Sequence, residues 1–310
     1  MKVLITGGAG YLGTVIAEEM LQHGWDVTVL DNLLYRQQSL LHLCRRTNFG
    51  FVVGDVRDKT LMEPLVASHD VVVPLAAIVG AKACDEQPEL TRAVNFEAIR
   101  LLGTLRSADQ PVIFPCTNSG YGTKSGDFHC TEESPLEPIS LYGETKVAAE
   151  QEVLSWTNTA TLRLATVFGP SPRMRLDLLV NDFTYRAYRD GYLVIYEHHF
   201  KRNYLHVSDV ARCFIFAIEN IDRMGGEPYN VGLNDANLSK GELANAIQKH
   251  VPGLYTHFSE IGSDPDKRNY IISNAKINEK GFTAKTSLDE GIRQLLTMYR
   301  ALGTGTMANA

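Results

Sequence analysis

Thr117, Tyr142 and Lys146 carry side chains that could take a proton from an alcohol, and a glycine run at the start of the chain could hold an electron acceptor. Tyr142 and Lys146 form a Tyr-x-x-x-Lys pair, and Thr117 stands 25 positions before the tyrosine, in Thr117-Asn118-Ser119-Gly120-Tyr121-Gly122. A phenol is a poor base at its ordinary pKa near ~10. Residues four apart on a helix share a face, so the Lys146 ammonium is expected to favour the Tyr142 phenolate and bring it toward working pH. The Thr117 hydroxyl would then orient the same substrate oxygen. The implied reaction removes a proton from a hydroxyl while a hydride leaves the same carbon. Singly, each element has a plainer reading, since tyrosine packs and lysine snorkels on many helices and glycines mark turns everywhere. Their occurrence together in one half of the chain is what points to chemistry.

The glycine run is Thr6-Gly7-Gly8-Ala9-Gly10-Tyr11-Leu12-Gly13. Its G-x-x-G-x-x-G spacing is one residue wider in the first gap than the usual dinucleotide fingerprint. Gly7 would turn the chain off a strand, Gly10 would admit a pyrophosphate, and Gly13 would let the next helix pack closely. The pyrophosphate would sit at that helix N-terminus, where free N–H groups and the dipole favour an anion. Asp31 follows Gly10 by 21 positions. A carboxylate there bonds ribose hydroxyls and repels a 2′-phosphate, so the expected cofactor is NAD.

The elements that must position these residues alternate. Strands are expected at residues 2–6, 25–30, 51–53, 71–75, 111–116 and 160–164, and helices at 10–23, 59–67, 88–107 and 141–155. That alternation predicts an α/β fold, a Rossmann-type doubly wound parallel sheet covered on both faces. Beyond residue 164 the pattern becomes irregular, with helices expected at 177–189, 209–220 and 289–301 and a strand at 192–196. Ser239 and Glu242 form a capping-box pattern. The expected organisation is a nucleotide-binding domain at 1–168 with a return near 203–222, a smaller C-terminal α/β substrate lobe at 169–302, and a flexible tail at 303–310.

The chain has 310 residues, 44% hydrophobic and 21% charged, with a net charge of −6. These are the proportions of a soluble globular protein. No basic run suggests nucleic acid, and no apolar stretch is long enough for a membrane span; the expected location is the cytoplasm. Five cysteines without metal-type spacing read as reduced thiols, with Cys116 packing beneath a strand end, and no metal is expected. Arg173, Arg175, Arg202 and Arg268 stand out in an acidic chain as planar forks suited to phosphate oxygens.

Together these motifs resemble the extended short-chain dehydrogenase/reductase family, the nucleotide-sugar epimerases and dehydratases, over residues 1–301. The resemblance implies that Tyr11, Leu12 and Asn32 join the cofactor site, that Asp55 and Val56 meet adenine, and that Leu75-Ala76-Ala77 form a cofactor-contacting strand end, with Pro74 in place of histidine. It implies that Asn95 supports Lys146. In Arg202-Asn203-Tyr204-Leu205-His206-Val207-Ser208-Asp209 it gives Arg202 the substrate diphosphate, with Asn203 replacing an acid. Asn181, Asn118 and Ser119 become substrate contacts. Dehydratases of the family carry an Asp-Glu pair where Asn118-Ser119 stand, so elimination lacks its acid and base. A reactive cysteine used by some epimerases at Ser119 is also missing. What remains is oxidation at C4 of a nucleotide-activated sugar, the ketone being released or re-reduced on the other face. A non-catalytic NAD-sensing regulator is disfavoured, because Thr117, Tyr142 and Lys146 are all present. Residues 117–122, 172–183 and 264–268 further resemble bacterial GDP-heptose 4-dehydrogenases of capsular pathways, which implies a GDP-sugar. The family also implies a homodimer through helices near 89–106 and 141–156.

Overall fold

Valine-, leucine- and isoleucine-rich central strands, buried on both faces, assemble with two edge strands, in the computed structural model, into one seven-stranded parallel sheet. The structure describes residues 1–124, 129–262 and 268–303. The sheet runs Glu227–Val231, Thr159–Leu164, Val112–Thr117, Val71–Pro74, Lys2–Thr6, Asp26–Asp31 and Phe49–Val53. Strand order reverses beside Lys2–Thr6, which pairs with Asp26–Asp31 on one side and Val71–Pro74 on the other. Ligands of such sheets bind at this reversal, beyond the strands' carboxyl ends. The helix Tyr11–Gln22 leaves the first strand there.

Six of the strands follow the sequence pattern. The seventh, Glu227–Val231, has no counterpart in that pattern, and it pairs parallel with Thr159–Leu164. Glu-Pro-Tyr-Asn-Val offers too short and polar a run to announce a strand; its burial comes from the sheet edge it covers. The return of the chain therefore extends past residue 222. The helix Val207–Glu219 packs against Tyr11–Gln22. The strand Lys201–His206 instead joins a three-stranded sheet with Thr166–Phe168 and Asn237–Ser239. A second apolar core forms there around Phe168, Tyr204, Leu243, Leu295 and Tyr299. The capping box of Ser239 and Glu242 forms at the helix Lys240–Gln248.

The expected single helix at 88–107 is interrupted. Pro88–Arg92 and Ala98–Leu105 are α-helical, and Ala93–Glu97 between them is a π-turn. The wider turn places Asn95, 1% exposed, where its amide bonds both the N–H of Ile78 at 2.8 Å and its carbonyl at 3.0 Å. Residues 264–267 and the tail beyond 303 lie outside the described residues.

One buried ion pair ties the sheet to the helix Leu141–Leu154. Arg163, on the strand Thr159–Leu164, meets Glu150 at 2.8 Å, the two side chains being 5% and 1% exposed. Arg163 also donates to the Tyr121 hydroxyl at 2.9 Å and the Glu132 carbonyl at 3.0 Å. Removing one partner of a buried pair strands the other charge. Glu150→Ala is expected to lower unfolding free energy by about 3–5 kcal/mol, read from denaturant midpoints; a loss of a few tenths would show the pair to be dispensable.

Candidate active site

Backbone geometry makes the cofactor cradle. Gly7 adopts φ +70°, and a Cβ there would lie 2.5 Å from the Ala76 nitrogen, so the turn lies directly on the Leu75–Ala76 backbone. Leu75 N donates to Thr6 O at 2.9 Å, which holds that strand end in place. A Cβ on Gly10 would meet only the Gly7 carbonyl, at 3.2 Å, and no side chain caps the helix that begins at Tyr11. An open turn beneath an uncapped helix N-terminus fits a pyrophosphate. Asp31 is 8% exposed. Its carboxylate accepts from Ala9 N at 3.0 Å and Leu33 N at 2.8 Å. Burial pushes its carboxyl up while those two N–H groups pull it down. Asp31 therefore fastens the glycine turn, a duty the sequence did not reveal. Asp55 is gripped by Arg57 through Nε at 2.9 Å and Nη2 at 2.7 Å. That pair holds the Asp55 carboxyl below its usual range, with a hydrogen bond from Asn32 contributing. Val56 packs against the buried Ile78, Cys84 and Val94 cluster. Leu12 packs at the edge of the main core.

Thr117 closes the strand Val112–Thr117, and Tyr142 and Lys146 rise one turn apart from the helix Leu141–Leu154, which packs along that strand. Ser140 caps this helix through Gly143 N at 3.2 Å. Cys116 Sγ donates to the Lys146 carbonyl at 3.7 Å, and burial pushes its thiol up; it packs, as expected. Thr117 Oγ1 donates to Ser119 Oγ at 3.0 Å and accepts from Ser119 N at 3.1 Å. Arg268 Nη1 donates to the same Ser119 oxygen. The sequence neighbour Asn118 is fully buried, and neither atom of its amide finds a partner.

The electrostatics differ from expectation. Burial pushes the Tyr142 phenol up to about 12, and the charges that pull it down are Arg175 and Arg268. Lys146 is 5% exposed. Its Nζ sits 3.9 Å from the centroid of Phe114, and burial lowers its pKa to about 8. The lysine thus contributes a weakened cation and two arginines from the C-terminal region supply the field. Phe114 lies two residues before Cys116 on the same strand face, so strand periodicity could have found it. Among the described residues neither the Tyr142 hydroxyl nor Lys146 Nζ makes a hydrogen bond. Both fit a dinucleotide's ribose and a substrate hydroxyl as partners.

Of the other residues singled out in the sequence, Arg202 is 2% exposed and lies over the Tyr270 ring, 5.5 Å from its centroid. Tyr270 N donates to Lys201 O at 3.3 Å, so the segments carrying Arg268 and Arg202 run together. Arg175 pairs with Asp177. Arg173 lies over Tyr35, 5.3 Å from the ring centroid, on the cofactor side. Asn181 is fully buried with its amide spent on the chain: its oxygen accepts from Gly169 N at 3.0 Å, and its nitrogen donates to Arg175 O at 2.9 Å. It holds a loop together. Asn203 is likewise buried, donating to Leu233 O at 2.8 Å.

A family model described as the NAD dependent epimerase/dehydratase family matches residues 3–232. A low-salt glycan biosynthesis protein, Agl12, of Haloferax volcanii is 30% identical over 96% of this chain and 98% of its own. A dTDP-glucose 4,6-dehydratase of Streptomyces niveus is 28% identical over 97% of this chain and 93% of its own. Among solved structures, a UDP-glucose 4-epimerase of Thermus thermophilus complexed with NAD superposes with a TM-score of 0.81, 26% identity and coverage of 99% and 100% of the two chains.

The lysine's environment has a measurable consequence. With a folded pKa near 8 against an ordinary 10.5, the folded chain binds this proton more weakly than the unfolded chain. Its charge therefore opposes folding fully below about 8, and the penalty fades as pH rises toward 10.5. Lys146→Met is expected to stabilise the cofactor-free protein at neutral pH by on the order of 1–3 kcal/mol, with the gap closing in alkali. Thermal melts of both proteins at the two pH values check this; equal melting at neutral pH would remove the argument.

Proposed function

The chain belongs to the NAD dependent epimerase/dehydratase family, and on that premise we propose that it oxidises C4 of a nucleotide-activated sugar, a GDP-linked heptose or close relative. The observation that carries the reading is that the Tyr142 hydroxyl and Lys146 Nζ make no hydrogen bond among the described residues, on a helix packed along the strand that Thr117 closes. NAD, when bound, supplies the acceptor for the C4 hydride. Tyr142 takes the C4 hydroxyl proton, and Thr117 turns its hydroxyl from Ser119 to the substrate oxygen. Lys146 Nζ would bond the nicotinamide ribose, while Arg175 and Arg268 offset part of the upward push that burial gives the Tyr142 phenol. Arg202 and Arg268 hold the sugar nucleotide's diphosphate. Asn118 and Ser119, where a dehydratase carries two carboxylates, offer neither the acid nor the base of elimination. The GDP preference rests on the likeness of residues 172–183 to GDP-heptose 4-dehydrogenases.

The test is a panel of GDP-, UDP-, CDP- and dTDP-sugars, with NADH absorbance followed and products identified by mass and NMR. Oxidation should appear with a GDP-sugar, the product two hydrogens lighter, one lost from C4 and one from its hydroxyl. Loss of water, or inversion at unchanged mass, would replace the reading by a dehydratase or an epimerase.

Two substitutions probe the roles. Tyr142→Phe should cut hydride transfer by roughly 10²–10⁴ while cofactor still binds; turnover within a few-fold of the parent would exclude the tyrosine as base. Arg202→Ala should raise the Kd for the active sugar nucleotide about ten- to a hundred-fold and leave NAD affinity nearly unchanged. Loss of NAD instead would assign Arg202 to the cofactor.

A further inference from the structure

The glycine turn is held from both flanks by loops that themselves touch. On one side, Asp31 accepts from Ala9 N, and Ser39 Oγ donates to Ala9 O at 2.8 Å. On the other, Ser171 Oγ donates to Tyr11 O at 2.8 Å and lies 3.0 Å from Thr14 Oγ1. The Tyr11 hydroxyl donates to Gly169 O at 2.8 Å. Between these anchors the flanking loops reach toward each other. The first makes a tight turn in which Arg36 N donates to Leu33 O at 2.8 Å. Leu33 and Arg36 both take left-handed backbone, φ 52° and 51°, a conformation costly for side chains with a Cβ. That turn presents Tyr35, 45% exposed, to the Arg173 guanidinium at 5.3 Å. The second loop is steered by Arg173 N donating to Ser171 Oγ at 3.3 Å. A ring thus closes: glycine turn, residues 31–39, Tyr35, Arg173, Ser171, and the glycine turn again.

We propose that Tyr35 and Arg173 form a clasp that retains the dinucleotide: it stays on the glycine turn until this contact parts. Tyr35 becomes a cofactor-site residue that no motif singled out, and Arg173 moves from substrate to cofactor. The strained Leu33–Arg36 turn sets the ring's position. A cation held over an aromatic face gives attraction without a fixed hydrogen bond between the two, and Arg173 Nη1 also donates to Met174 O at 3.4 Å. The inference uses the family's NAD dependence and needs no assumption about which sugar is bound.

The experiment loads the purified protein with NADH, chases with excess NAD and follows release by nicotinamide fluorescence. Tyr35→Ala and Arg173→Ala should each speed release about three- to thirty-fold. The double variant should be no faster than the faster single one, since both remove one contact. Tyr35→Phe should release slowly, as the parent does, because the ring face is what the guanidinium uses. Unchanged release in either alanine variant, additive effects, or a Tyr35→Phe as fast as Tyr35→Ala would each overturn the clasp. A parent that takes up no NADH would overturn the cofactor assignment, and the clasp with it; a parent that binds NADH and is insensitive at both positions overturns the clasp alone.

Discussion

The contact between the first turn and the fourth strand's end governs the rest of the structure. Gly7 lies so close to the Leu75–Ala76 backbone that no side chain fits between them. That approach is possible only because Gly7 takes left-handed backbone without a steric cost. It sets where the helix Tyr11–Gln22 starts, and so where an anion can be received. Asp31, Ser39, Thr14 and Ser171 then bond to this fixed point. The Asp31 carboxylate, expected from the sequence to meet a ribose, therefore stabilises the cradle itself.

Burial decides the chemistry more than helical spacing does. The four-residue interval brings Tyr142 and Lys146 to one face, but proximity along a helix does not set the field at the phenol. Desolvation raises the tyrosine and lowers the lysine, because each charged form loses water that the protein replaces poorly. The compensating charges come from Arg175 and Arg268, both from the C-terminal region. The field at the phenol is set by residues of the C-terminal region, which couples it to the arrangement of that region.

The two halves of the chain are joined by hydrogen bonds as well as by apolar packing. Asn181 donates to the Tyr11 hydroxyl at 3.3 Å, and its own carbonyl accepts from Tyr299 at 2.9 Å. A buried amide with each group satisfied is stable where a half-satisfied one would not be. Asn181 therefore transmits the position of the first helix to the last one, Leu288–Leu302.

The sequence by itself determined what is local. Valine-rich runs and glycine spacing specify parallel strands and a turn onto a helix, and residues 117, 142 and 146 can be picked out by residue type and interval. It also determined the Ser239–Glu242 cap, which closes within one turn. Other features needed the tertiary structure. Glu227–Val231 is a strand because an open sheet edge accepts it, and the π-turn at Ala93–Glu97 accompanies the bonds of Asn95 to Ile78. Asn181 and Arg173 carry side chains suited to a substrate, yet distant partners, Gly169 and Tyr35, engage them. Burial and long-range pairing depend on which segments meet, and local spacing carries no record of a partner many residues away.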